Sequence, residues 1–219
     1  MIFGGSPVEP EEIVQLLREK VTKDTVREHL KSLDPSYNGD PGKEDKGWKE
    51  VIFSTLKEGF VAKYGGQEVF TRPEKKEKEF MLDFVWLEQE RGKTFRRAVL
   101  GVEVEWWKGR KELLRNFQKL LFFKAPLKLL VYSCSDGCSE KGRDVEREEL
   151  RGCLKEFEQH VKGERYLLIE FYKENNDWKQ KACLFCVDQD GDVPEVTFSP
   201  LNEDTGWSQP IGSSSLAPN

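Results

Sequence analysis

Val99 to Trp107 reads V-L-G-V-E-V-E-W-W, a hydrophobic run interrupted by two carboxylates spaced one residue apart. Alternation with a period of two is the pattern of a β-strand, whose successive side chains point to opposite faces. Glu103 and Glu105 therefore share one face with Gly101, and Val102 and Val104 turn the other way into a core. Two carboxylates side by side repel, and a low dielectric strengthens the repulsion, so the pair needs a cation, a shared proton or open water. A third acid, Asp83, precedes Glu103 by twenty positions and is the single charge in F-M-L-D-F-V-W-L, Phe80 to Leu87. Buried ion pairs are seldom better for stability than apolar packing. Three carboxylates on apolar strands are thus better explained by a ligand. The structural alternative pairs Asp83 with Arg96 or Arg97 and places Glu103 and Glu105 in salt bridges on an exposed sheet face. On the ligand view the acids are exposed and their removal leaves the fold intact.

The chain of 219 residues is long enough for one substantial core. Three regions are expected: an N-terminal helical extension and linker over 1–46, an α/β domain over 47–187, and an irregular, flexible tail over 188–219. No apolar run approaches the roughly 20 residues that cross a bilayer, and Met1 to Gly5 lacks the basic and apolar parts of a secretory signal. A cytoplasmic protein without membrane partners follows, and its five cysteines are expected to be reduced thiols. A net charge of −5 argues against a general nucleic-acid binder, but the charge is unevenly spread. Arg91 to Lys128 contains eleven Lys or Arg against three acids. This basic zone around an acidic pair suits a polyanion held near a metal, although a solvated surface would give the same run. Arg96, Arg97, Arg110, Lys111 and Arg115 are its candidate nucleic-acid contacts.

Periodicity supplies the scaffold. Pro10 to Ser32 has helical apolar spacing for one or two helices, and Asp34 to Gly47 is rich enough in Pro and Gly to form a loop or boundary. A second helical stripe, Trp48, Val51, Ile52, Thr55 and Leu56, is expected to stop at Gly59. Phe60–Lys63 and Gln67–Thr71 then suggest two strands joined at Gly65-Gly66. Strands are expected at Phe80–Leu87 and Phe95–Trp107, a helix at Arg110–Phe123, a strand at Leu127–Cys134, a helix at Asp144–Val161, and strands at Tyr166–Tyr172 and Lys181–Val187. The fold class is α/β, with a mixed central sheet flanked by helices. The strand after the Arg110–Phe123 helix should run parallel to an earlier one.

A helix, a three-strand meander, a helix and a strand, with Asp83 on the second strand and Glu103-Val104-Glu105 on the third, resembles the PD-(D/E)xK nuclease superfamily, whose core is restriction-endonuclease-like (αβββαβ). The match covers roughly Gly47 to Ser133. It is similar above all to type II restriction endonucleases in which the motif is followed directly by Trp. The resemblance implies divalent-metal-dependent hydrolysis of phosphodiester bonds in nucleic acid, most often DNA, and a restriction or defence enzyme. It also implies Mg²⁺, with Mn²⁺ as substitute, held by Asp83, Glu103 and the Val104 carbonyl. Glu50 stands where several members place a further acidic ligand, and Gln118 where related members keep a glutamine near the site. Glu105 occupies the position of the usual lysine and could orient water, so Lys108 or Lys111 would have to supply the cation. Cutting both strands implies a homodimer.

Two cysteine pairs are the rival site. Cys134 and Cys138 lie in a loop, and Cys183 and Cys186 have zinc-like spacing but, on a strand, an odd separation that sends them to opposite faces. Only His29 and His160 are available for nucleophilic catalysis, both in helical segments. The alternative function is a nuclease-fold protein without hydrolytic activity that binds nucleic acid or protein.

Overall fold

Pro10 opens the first helix, α1 (Pro10–Lys20), where its missing N–H is no loss, and Glu11 and Glu12 in the first turn with Lys20 in the last complement the helix dipole. The computed structural model describes residues 8–39, 41–64, 69–71, 82–89, 95–106, 109–134, 140–174, 177–188 and 190–196. The second helix, α2 (Lys23–Leu33), is capped by Thr22, whose hydroxyl accepts from Thr25 N at 3.1 Å. Both helices lie on α3 (Pro41–Tyr64).

The third helix corrects two expectations. It begins at Pro41, so residues 41–47 of the expected Asp34–Gly47 loop lie inside a helix, and it passes through Gly59, which makes 60–63 helical rather than a strand. Gly59 serves packing: a Cβ there would stand 2.4 Å from Leu16 Cδ2 of α1. Phe60 in turn sets its ring edge-on against Trp86, with centroids 4.6 Å apart. Tertiary contact thus keeps a helix going where local propensity favours a stop. Gly65-Gly66 lies outside the described residues.

Among the described residues, seven strands follow in sequence order across one sheet: β1 (Val69–Thr71), β2 (Phe84–Gln89), β3 (Phe95–Glu105), β4 (Leu127–Ser133), β5 (Arg165–Glu174), β6 (Asp177–Cys186) and β7 (Glu195–Val196). Neighbours are antiparallel from β1 to β3, parallel from β3 to β5 and antiparallel again to β7. The parallel steps use α4 (Arg110–Phe122) and α5 (Glu140–Glu156) as crossovers. The fold is therefore a mixed α/β sheet with helices on both sides, in the order α3, β1, β2, β3, α4, β4 at its centre. β7 shows that regular structure persists past Asp188, whereas residues 197–219 of the expected tail are outside the described residues.

Two apolar layers sandwich the sheet. One joins α1, α2 and α3 to Val102, Val104, Leu129, Val131, Ile169 and their neighbours, and the other joins α4 and α5 to Val85, Leu130, Leu168 and Phe185. Residues of the expected N-terminal extension (Ile13, Leu17, Val26, Leu30) belong to the first layer, so α1 and α2 are part of the same core as the sheet. Trp48 locks α3 down by stacking on Trp106 at 4.6 Å and 14° between planes, with Phe171 and Trp178 closing the cluster. Cys183 belongs to the second layer and Cys186 packs against the first, so their thiols are on opposite faces, as their spacing predicts. Cys153, Cys183 and Cys186 are free, but Cys134 is disulfide-bonded, which corrects the expectation of reduced thiols there. Among the described residues no helix is long and apolar enough to cross a membrane.

Candidate metal centre

The alternation of β3 is realised as its sequence predicts. Val102 and Val104 face the α1–α3 layer. Glu103 and Glu105 face α4, where Lys119 Nζ lies 3.4 Å from Glu103 Oε1 and Asn116 Nδ2 donates to Glu105 Oε2. Gly101, two positions earlier on that face, leaves room for Phe123 and Leu82: a Cβ would meet Phe123 Cδ1 at 2.7 Å and Leu82 Cδ1 at 2.8 Å. That close approach places the turn of chain leading into β2.

Asp83 sits in this turn, one residue before β2. Phe84 pairs with Val102, so continuing the antiparallel register sets Asp83 opposite Glu103. Its Oδ2 accepts a hydrogen bond from Val104 N at 3.0 Å. Asp83 and Glu103 are close enough to share a proton, and Glu103 Oε2 receives no hydrogen bond from a donor among the described residues. The Glu103 pKa is raised from 4.5 to about 8, chiefly by burial and next by the charge of Asp83, while Lys119 pulls the other way. The carboxyls of Glu103 and Glu105 are 1% and 4% exposed as residues. They are not the open, solvated acids anticipated from sequence, because α4 closes over this end of β3.

The remaining candidates separate by position. Glu50 turns toward α2, with Oε2 2.9 Å from His29 Nε2 and Oε1 3.4 Å from Lys46 Nζ, and these contacts engage both oxygens away from Asp83 and Glu103. Lys111, Arg115 and Gln118 are exposed at four- and three-residue steps along α4 and form one polar ridge on its outer face. Arg110 reaches across to Glu149 of α5. Arg97 is half-buried on β3. Lys108 and the side chain of Arg96 lie outside the described residues. Lys128, counted in the basic zone, is fully buried: its Nζ donates to Glu164 Oε2 at 2.8 Å and Tyr166 Oη at 2.7 Å, which removes it from any surface contact.

Lys119 and Asn116 are the site residues that sequence reasoning passes over. Asn116 lies three residues after Leu113 and four before Leu120, on the flank of the buried stripe of α4, and Lys119 follows one turn later. That flank was the available signal. Only the packing of α4 across β3 shows that it meets the acids.

The oxygen ligands that come together here are the carboxyls of Asp83 and Glu103. Among the described residues no three or more His, Cys, Asp and Glu side chains gather into a metal-holding group. Mg²⁺ is commonly held by one or two carboxylates and keeps several waters, and the bare buried oxygen of Glu103 beside Asp83 fits such an ion. This chain matches no protein-family model and no curated protein.

Proposed function

We propose that the chain is a divalent-metal-dependent nuclease, acting in the cytoplasm on phosphodiester bonds of DNA as a restriction or defence enzyme. The observation that carries this is the convergence of Asp83 and Glu103 at the edge where β2 meets β3, with Glu103 raised to about 8 by burial and by its anionic neighbour. Such a pair is costly with both charges present, and a cation between the carboxyls relieves the cost. Asp83 and Glu103 would hold Mg²⁺ or Mn²⁺, with the Val104 carbonyl as a further oxygen. When bound, such an ion lowers the pKa of water and neutralises charge building on the phosphate.

The chain's own groups set the rest. Val104 N fixes the orientation of Asp83, and Asn116 fixes that of Glu105. Lys119 carries a positive charge to Glu103 from α4 and takes the part that a lysine at position 105 would play, in preference to the exposed Lys111. The ridge of Lys111, Arg115 and Gln118 suits contacts to phosphate oxygens, which hold a strand in place without reading its sequence. A second copy of the chain would serve the opposite strand of a duplex. A non-hydrolytic binding module is the second reading, favoured by the burial of Glu105 against Asn116 where the family keeps a lysine.

Calorimetric titration of Mn²⁺, together with nicking of supercoiled and single-stranded DNA in millimolar Mg²⁺, tests the proposal. The expected result is binding and metal-dependent cleavage by the parent, both lost in Asp83→Asn while its melting temperature is kept. A folded parent that binds metal neither alone nor with DNA, and leaves both DNAs intact, would sink the nuclease reading and leave the binding module.

A further inference from the structure

The polar ridge on the outer face of α4 runs on into an aromatic ring. Lys111, Arg115, Gln118 and Phe122 recur at steps of four, three and four residues, so they follow one line along the helix over about 16 Å. Phe122 is 62% exposed. Single exposed apolar side chains are ordinary on a protein surface, but this ring is braced from behind. Phe157 meets it edge to face, with centroids 5.3 Å apart and planes at 87°, and His160 meets Phe157 in the same manner at 5.1 Å. His160 is itself fixed, with Nε2 2.7 Å from Leu154 O and Nδ1 3.1 Å from the buried Tyr166 hydroxyl. A line of ring contacts therefore leads from the core to the surface and ends in Phe122.

The ridge is positively charged along its length. From Arg110 to Lys124 the chain carries five cations, Arg110, Lys111, Arg115, Lys119 and Lys124, against the single acid Glu112. Glu112 stands 3.7 Å from Arg115 in a solvated pair of little strength, and Arg110 is committed to Glu149. Lys124 Nζ donates to Gln159 O at 3.2 Å, which holds a cation at the Phe122 end of the line. Lys119, one turn before Phe122, reaches Glu103 of the candidate metal centre. The exposed acids Glu156 and Glu158 flank Phe157 at the end of α5, so α4 itself keeps its positive surplus.

Cations in a row that ends in one braced ring suit a polyanion with flat apolar groups. A protein helix docking on α4 would need several apolar anchors at helical spacing, and this line has one. A duplex buries its base faces by stacking, so a ring on a convex helix meets only its backbone and groove edges. An unpaired strand offers phosphates and free base faces together, and a cationic track with aromatic side chains holds such strands. We propose that the outer ridge of α4 binds single-stranded DNA, with Lys111 and Arg115 on its phosphates and Phe122 stacked on a base beside the metal centre. The choice of DNA rests on the nuclease reading and makes an unpaired strand the substrate class. Binding through this ridge needs neither metal nor cleavage.

Fluorescence anisotropy on the full chain in EDTA, with a labelled thymidine dodecamer, an abasic dodecamer and a duplex of the same length, tests the assignment. The thymidine strand is expected to bind at least about fivefold more tightly than the abasic strand, whose phosphates are the same. Phe122→Ala should weaken the thymidine strand by about 5- to 150-fold and leave the duplex unchanged. Phe122→Trp should hold the strand at least as tightly as the parent. Phe122→Leu keeps an apolar side chain against Phe157 without a π-face, should show a similar loss, and carries the test if Phe122→Ala fails to fold. Arg115→Met should weaken the thymidine and abasic strands by the same factor, as a phosphate contact does. Strand binding without Mn²⁺ binding would uphold this site while sinking the nuclease reading. Equal affinity for the thymidine and abasic strands, parental affinity in the Phe122 variants, an equal loss for strand and duplex, or no binding of the thymidine strand would overturn the proposal.

Discussion

Glu103 is placed between an anion and a cation, Asp83 in the turn before β2 and Lys119 on the helix above, and the balance between them sets its charge. If Lys119 steadies the reacting phosphate, Lys119→Met should lower DNA cleavage by about 100-fold, the usual cost of removing one electrostatic contact to a developing charge. Mn²⁺ affinity measured by calorimetry should be kept or improved, since the ammonium and the ion compete for Glu103. Equal loss of binding and cleavage would instead make Lys119 a structural partner of the acid. Lys128 is the contrasting lysine. Its ion pair with Glu164 is fully enclosed, and that carboxylate also accepts from Tyr166 Oη at 3.0 Å and Val161 N at 3.2 Å. Lys128→Met leaves a buried carboxylate without its cation and should cost about 3–5 kcal/mol in denaturant unfolding, with no change in metal affinity.

At the scale of elements, α4 does most to make the site. Its apolar stripe, Leu113, Phe117, Leu120 and Leu121, seats the helix on β3 and β4 and so brings Asn116 and Lys119 onto the acids. Gly101 permits the same approach from below. Gly101→Val would drive a branched side chain into the space of Phe123 and Leu82, and the displacement of Leu82 would be passed to the adjacent Asp83. Overpacking of this kind costs about 1–3 kcal/mol. A fall in melting temperature of about 2–12 °C is expected with it, accompanied by weakened Mn²⁺ binding; a melt unchanged from the parent would show that Phe123 swings clear.

For the whole molecule, the two raised carboxyls tie stability to pH. Glu103 at about 8 and Glu170 at about 7 both bind protons more tightly when folded than the usual value of 4.5 allows, and burial is the main cause for each. Between pH 4.5 and 8 the folded chain therefore holds more protons than the unfolded one, so stability falls as pH rises through this window. Thermal melts should decline from pH 5 to 8, Glu103→Gln should flatten the decline, and Mg²⁺ should restore part of it at pH 8. A melting temperature that rises over this range would show that neither acid is held protonated. Of the site, the common face of Glu103 and Glu105 was legible in the sequence, as was the helical stripe of α4, since alternation and periodicity are local properties of the chain. The sequence by itself thus determined the class of fold, the placement of Glu103 and Glu105 on one face of an apolar strand and the opposite faces of Cys183 and Cys186, whereas Asp83, expected on the second strand, stands in the turn before it. Tertiary structure alone decided that α3 continues through Gly59, that Lys119 rather than the exposed Lys111 meets Glu103, that Glu50 pairs with α2, and that Glu170 lines a cavity beneath α5. Each of these depends on which distant segments share a register or a helix face, and neither hydrophobic period nor residue spacing encodes such pairing.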